Sequence, residues 1–338
     1  MADLPARADI DQLRNQAKDL LAAAKAGDHD ASARIRAVSA RLVLASAQLA
    51  VARHYGFASW ARLKTEVDRR ELLNRRDVRA LRALIADDPA AATARLEHFC
   101  DHRRGVAPLS YVAMLRFDSD RLGLPQDASG TGEVARMLLD AGAPVEGDPA
   151  DRETPLITAA SYGDSEVAKV LIYAGADLEA TAATDAGGVP GGTALRHAAV
   201  FGMTHVIDVL VGAGARVDSL EMAAAAGDIS AWPLTSATME GRIRALVFAS
   251  DHQRLGVIDQ LVDAGTPVDA EDAKWGRQAL RIAATNGRAA SVRRLLELGA
   301  DPNLRDTWKH RTALEWCEGG SPGHKEARAI LKGQPRSV

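Results

Sequence analysis

The sequence predicts an all-α solenoid: helix–turn–helix units joined by hairpin loops and stacked side by side, with a helical cap at the N-terminus. Three observations carry this. A glycine followed by Ala or Thr closes a helix-like run at Gly142, Gly175, Gly214, Gly265 and Gly299, at spacings of 33, 39, 51 and 34 residues. Self-similarity at such a period marks units too small to bury a core alone. In every unit the residues four and three before that glycine are apolar (Leu138-Leu139, Leu171-Ile172, Leu210-Val211, Leu261-Val262, Leu295-Leu296). Finally, hydrophobic content is 47% but aromatic content only 4%, so the core must be built from Ala, Leu, Val and Ile.

The clearest unit is TPLITAASYGDSEVAKVLIYAGADLE, from Thr154 to Glu179. It reads as a turn with proline at a first helical position, a short helix broken at Gly163, and a second helix stopped by Gly175. Similar first helices recur as TALRHAA from Thr193, QALRIAA from Gln278 and TALEWC from Thr312. Four residues after each closing glycine stands Glu146, Glu179, Asp218, Asp269 or Asn303. This pattern resembles the ankyrin repeat, T-P-L-H-x-A-A followed by G-A-D, over roughly Asp77 to Leu331. The resemblance implies an ankyrin-repeat α-solenoid of about six to seven repeats over 71–338.

Residues 1–70 are not repeats. Ile10, Leu13, Ala17, Leu20 and Leu21 share one helical face, a second helix starts near Ala31, and Ser59 is placed to cap a helix after Trp60. Tyr55 to Lys64 is similar to a leader found in bacterial ankyrin proteins, which reads here as a helical cap sealing the first repeat. Arg62 to Arg82 is arginine-rich with acids interleaved, predicting a solvated helix face with i,i+4 pairs. It lacks the interleaved aromatics of a single-strand nucleic-acid binder, and the net charge of -3 excludes a general pull toward nucleic acid.

Further along, DVRALRALIADDPAAA predicts the second helix of a partial repeat, and His98, Cys100, Asp101 and His102 form a polar hairpin rather than a zinc site. A turn-rich insertion at 115–131 splits one repeat, and the glycine-rich stretch at 181–192 predicts a flexible extension of another. The unit at 220–243 is degenerate, because Pro233 stands where its second helix should run, predicting a shortened or rerouted segment with Trp232 as a plug. The next unit, from Arg244, has Ser250 in place of an Ala and Gln253 in place of the turn glycine.

No nucleophile elbow, H-E-x-x-H, phosphate loop or dinucleotide fingerprint is present, so no catalytic group, cofactor or metal is predicted. Two distant cysteines and the absence of any long apolar run lead to an expectation of a soluble, cytoplasmic chain without structural disulfides. The resemblance implies a ligand surface made of hairpin tips and of the residue pair before each turn glycine. Carried onto this sequence, the tips supply Asp151, Glu153, Trp275, Arg277, Trp308 and Arg311. The pairs supply Tyr162, Phe201, Asp251-His252 and Asn286. Aromatic and Arg side chains are the usual interface anchors. His197 follows the first-helix pattern and reads as structural. Asp251 and His252 are the one acid–base pair available for chemistry, although adjacent helical residues diverge by about 100°.

Two readings follow. The first is a non-catalytic scaffold that binds a protein or peptide partner in a concave groove and at the tips. The second is a small-molecule site, binding or catalytic, enclosed by the 115–131 and 181–192 loops and the irregular repeat.

Overall fold

The computed structural model describes residues 2, 4, 5, 7–96, 105–122, 124 and 129–334. Among them the only regular structure is helix, with isolated antiparallel bridges closing hairpins at Leu96–Val106, Thr181–Thr193 and Glu271–Gln278. The chain divides into two compact units, Met1–Ala159 with Glu166–Ala176, and Ala160–Ser165 with Asp177–Val338.

In the first unit, α1 (Ile10–Lys25), α2 (His29–Arg36), α3 (Leu44–His54) and α4 (Trp60–Arg75) precede the repeats. Asp9 caps α1, and Ser59 caps α4 by accepting the Arg62 N–H at 3.2 Å. Leu13, Ala17, Leu20, Ile35, Ala47, Val51, Leu63 and Val67 form one hydrophobic cluster, so residues 4–67 own a core. Tyr55 and Phe57 are buried at the α3–α4 corner. Gly56 turns there with φ 86° and Phe57 N–H returns to Ala52 at 2.8 Å. The leader string is therefore a packed corner.

The arginine-rich stretch departs from expectation. Lys64–Asp68 (2.8 Å) and Arg75–Glu71 (2.5 Å) are the exposed i,i+4 pairs predicted. Arg69 and Arg70, however, are buried on either side of Glu66. Arg69 also donates to the carbonyls of Ala91, Ala94 and Arg95 at 3.2, 2.8 and 3.1 Å, which ties α4 to the following turn. A charged fork can be buried when a carboxylate and several carbonyls accept from it, a condition that charge alternation along a helix does not reveal.

The repeats begin with α5 (Val78–Asp87), α6 (Pro108–Met114), α7 (Ser119–Leu122) and α8 (Thr131–Asp140), followed by α9 (Pro155–Tyr162) and α10 (Ser165–Tyr173). His98, Cys100, Asp101 and His102 lie outside the described residues, as does part of the 115–131 loop. Glu166 of α10 pins that loop, pairing with Arg116 at 2.8 Å and accepting the Gly130 N–H at 2.9 Å. Burial pushes its carboxyl up, but Arg116 and the Gly132 and Gly130 amides outweigh that and hold it below its ordinary range.

The second unit contains α11 (Ala194–Val200), α12 (Thr204–Gly212), α13 (Leu220–Ala226), α14 (Met239–Asp251), α15 (Leu255–Asp263), α16 (Ala279–Thr285), α17 (Ala289–Glu297), α18 (Ala313–Trp316) and α19 (Pro322–Lys332). Ala223, Ala224, Ala249, Ala283 and Ala284 are fully buried in its core, where their small side chains let neighbouring helices close together. The glycines at 142, 175, 214, 265 and 299 have φ of 94, 88, 95, 81 and 91°. A Cβ at any of them would meet nothing within 4 Å. Conformation, not space, selects glycine there.

The acidic column also acquires a cause. Glu179 accepts the N–H of Arg216 at 2.8 Å, and Asp269 that of Asp301 at 3.1 Å. Each donor lies two residues after the next repeat's closing glycine, so these two acids stitch one repeat to the next.

The degenerate unit is rerouted, as predicted. Between α13 and α14 no helix forms; the segment runs as turns whose Ile229, Trp232 and Leu234 join the core. The second-helix layer skips this unit. Arg254, just before α15, pairs with Asp208 on α12 and donates to the Ala225 carbonyl at 2.8 Å. Asp259–Arg294 (2.6 Å) and Arg293–Glu326 (2.8 Å) continue the series across α15, α17 and α19. Gln253 takes the turn-glycine place with φ 55°, and Ser250 is buried, its hydroxyl donating to the Leu246 carbonyl at 2.7 Å.

Candidate functional site

The hairpin tips before α16 and α18 are built alike. Asp272 accepts the N–H groups of Lys274, Trp275 and Arg277 at 3.1, 2.8 and 2.9 Å. Asp306 accepts those of Trp308, Lys309 and Arg311 at 2.9, 2.6 and 3.1 Å, and the Trp316 indole N–H at 2.6 Å. Burial pushes the Asp306 carboxyl up. The donors from Lys309, Trp316, Arg311 and Trp308 outweigh this and hold it well below the usual carboxylate range. Such a loop folds around its aspartate, leaving the intervening side chains to point outward. Gly276 and His310, four residues after each aspartate, supply positive φ.

What these loops display is indole and cation. Trp275 is 43% exposed and Trp308 68%. Trp275 meets Phe248 edge to face at 6.2 Å, with Lys274 Nζ 4.5 Å and Arg277 Cζ 5.3 Å from its ring centre. Trp308 stacks on Trp316 at 5.7 Å, with interplanar angle 13°. Lys309 Nζ stands 4.4 Å from the first ring and 5.5 Å from the second. Arg311 and Arg281 lie 4.7 and 5.7 Å from Trp316. Because Arg281 belongs to the preceding repeat, the surface is continuous across two units. Glu271 reinforces the junction, accepting the Thr307 hydroxyl at 2.7 Å. Arg311 also pairs with Glu318, whereas Lys274, Arg277 and Lys309 make no ion pair among the described residues.

Trp275, Arg277, Trp308 and Arg311 are thus brought together. Trp316, Lys309 and Arg281 complete the surface and were not anticipated. Trp316 occupies the fifth position of its T-x-L-x-W string, the place of His197 and Ile282, so a bulky aromatic there was a readable signal.

The remaining predicted residues separate. Asp151 and Glu153 belong to the first unit, where Asp151 is held by Arg95, which also pairs with Asp148 at 3.1 Å. Tyr162 is half-buried, and Phe201 is 40% exposed beside His197.

Asp251 and His252 are corrected outright, being 3% and 1% exposed. Asp251 accepts from Asn286 Nδ2 at 2.8 Å and from Arg288 Nε at 3.3 Å, while Arg288 also donates to the Gly202 carbonyl at 2.6 Å. His252 Nε2 donates to the Ala199 carbonyl at 2.9 Å, which makes Nδ1 the acceptor for the Thr204 hydroxyl at 2.9 Å. With both nitrogens engaged and the ring enclosed, His252 fastens turns together with Asp251, and the pair presents no surface to a partner or substrate, while half-buried Asn286 braces Asp251. The cause is the skipped helix, which lets the 251–254 turn reach the 199–204 turn directly. Burial pushes His252 below its ordinary value of 6.5, against Asp251 and the Ala199 bond.

His197 is structural, as predicted. Its Nε2 donates to the Val189 carbonyl at 3.0 Å and Nδ1 meets the Ser161 hydroxyl at 2.9 Å. The 181–192 loop is therefore fastened rather than a free extension, closed further by Ala182 N–H on the Gly192 carbonyl at 2.9 Å. Two clefts in the first unit have volumes of about 820 and 560 Å³, and neither is lined by residues of 181–192 or 220–243. Among the described residues no cluster of His, Cys, Asp and Glu could hold a metal ion, and no helix is long and apolar enough to cross a membrane. Cys317 is free and buried.

Comparison with known families places ankyrin repeats (three copies) at 126–221 and a further ankyrin repeat at 275–307. The chain carries ankyrin repeats. The fold is an ankyrin α-solenoid, all-helical throughout the described residues. Among solved structures it is similar to the human ASB11 ankyrin repeat domain. That match has 20% identity over 79% of this chain and 98% of that one, with a TM-score of 0.38. No curated protein matches.

Proposed function

We propose that the chain is a non-catalytic ankyrin-repeat scaffold that captures a protein or peptide partner on the tips bearing Trp275 and Trp308. The observation that carries this is the pair of exposed indoles on consecutive tips, Trp275 beside Lys274 and Arg277 and Trp308 beside Lys309, three cations that make no ion pair among the described residues. Large aromatics held exposed by a rigid loop lose little conformational freedom on binding and act as anchors. The bare Lys274, Arg277 and Lys309 suit a partner segment bearing acidic side chains, and the proposed setting is the cytoplasm. The leader's likeness to bacterial ankyrin proteins supports the cap role of residues 1–70.

The test is quantitative capture from native cytosol by the wild type and by Trp275→Ala/Trp308→Ala. One partner should be depleted at least tenfold by the double variant, since anchors of this kind contribute about 2 kcal/mol or more each. Helical circular dichroism should be unchanged. Equal capture by both proteins would reject this surface.

A further inference from the structure

The larger cleft lies within the first unit, between the start of α1, the last turns of α4 and the residues Leu122 and Leu124. Its volume of about 820 Å³ falls within the range of small-molecule sites, roughly 300–1,000 Å³. Four arginines border it, Arg7, Arg70, Arg75 and Arg76, against the carboxylates of Asp9 and Glu71. Both acids are engaged. Asp9 accepts the Asp11 and Gln12 N–H groups at 2.7 and 2.9 Å, and Glu71 pairs with Arg75 at 2.5 Å. The guanidiniums still outnumber the carboxylates on this wall.

Arg70 is the decisive residue. Its side chain is 5% exposed, and its Nε donates to Glu66 Oε1 at 3.0 Å. Glu66 is shared, since its other oxygen holds Arg69 at 2.5 Å. One carboxylate therefore serves two buried guanidiniums, and Arg70 Nη2 has no hydrogen-bond partner among the described residues. Leaving a buried charged donor unsatisfied is costly, and the cost is removed when an acceptor arrives. Asn74 adds to the same side: its Oδ1 accepts from the Tyr111 hydroxyl at 2.6 Å, leaving its NH2 group without a described partner. Arg76 closes the helix in a left-handed conformation, φ 55°, that few non-glycine residues adopt. Arg7 makes no ion pair among the described residues. Across this donor-rich wall, Val67, Leu122 and Leu124 supply apolar surface.

We infer that this cleft binds a small molecule bearing an oxyanion, phosphate or carboxylate, with an apolar body. The oxyanion sits against Arg70, Arg76 and Arg7, and the body against Val67 and the two leucines. Charge-assisted bonds from guanidinium to an oxyanion are the strong class of hydrogen bond.

The full chain is titrated calorimetrically with phenyl phosphate and, separately, with benzoate at constant ionic strength. Saturable binding of one probe per chain is expected, and the probe that binds identifies the oxyanion. Arg70→Gln should weaken it at least tenfold. Because Arg70 also serves Glu66, the solvent-exposed Arg7→Ala provides a variant that keeps the fold, and it should weaken binding severalfold. Lys309→Ala, on the tips, should bind the probe as the wild type does, so failure here is separable from failure of the scaffold reading. No saturable binding of either probe, or binding unchanged by both arginine variants, would overturn the inference.

Discussion

The burial of Asp251 separates a structural reading of the Asp251-His252 pair from a surface one, and Asp251→Ala decides between them. The substitution removes a charge-assisted bond to Arg288 and a neutral-donor bond from Asn286. The first is worth about 1.5–3 kcal/mol and the second about 1 kcal/mol. Three features reduce the total. The Arg288 side chain is 23% exposed and recovers some hydration. It keeps its bond to the Gly202 carbonyl. A negative charge on the last residue of α14 also opposes the helix dipole by roughly 0.3–1 kcal/mol. The expected net loss is about 2 kcal/mol, and Asp251→Asn, which preserves an acceptor for Asn286, should lose about half of it. Urea unfolding followed by circular dichroism measures both, with an unchanged slope showing that the same surface is exposed. A loss below about 0.5 kcal/mol for Asp251→Ala would refute the argument that this residue fastens the 199–204, 251–254 and 286–288 turns.

Other outcomes follow from the same geometry. His252 and His197 are both held below 6.5 mainly by burial, so the unfolded chain binds more protons than the folded one as pH falls through 6.5. Unfolding free energy should therefore be flat above that pH and decline below it, and His252→Gln should flatten part of the slope in urea titrations across the range. Arg69→Met leaves three carbonyls without their donor and should cost about 3 kcal/mol, read as a lowered midpoint for the N-terminal helices. Glu179→Ala and Asp269→Ala each remove one stitch between neighbouring units and should cost about 1 kcal/mol apiece. Their effects should add in the double variant, because they share no partner.

The repeat architecture was legible because it rests on one-dimensional rules. A closing glycine fixes a left-handed φ, apolar pairs fix the buried face, and Pro233 forbids a helix where one was due. Each acts within a few residues, so the pattern survives insertions. The errors came where a residue's environment is set by a unit far along the chain. Arg69 and Arg70 look like members of a solvated helix because their neighbours alternate in charge, yet three carbonyls some twenty residues away make burial tolerable for one of them. Asp251 and His252 sit where regular repeats display ligand-binding pairs. They are enclosed because the loss of one helix, more than ten residues earlier, lets turns from either side meet over them.

The tips show the same division in reverse. Trp275 and Trp308 were readable from the scarcity of aromatics and their place on hairpin tips. Their partners were less direct: Trp316 shows only as an aromatic at the fifth place of its repeat string, and Arg281 belongs to the neighbouring repeat. Repeat position predicts which side chains leave the core. Stacking between units decides which of those leave the protein surface. A deleted helix at 227–238 thus removes Asp251 and His252 from that surface, while Trp275 and Trp308, on the following two tips, stay exposed because each loop is folded around its own aspartate.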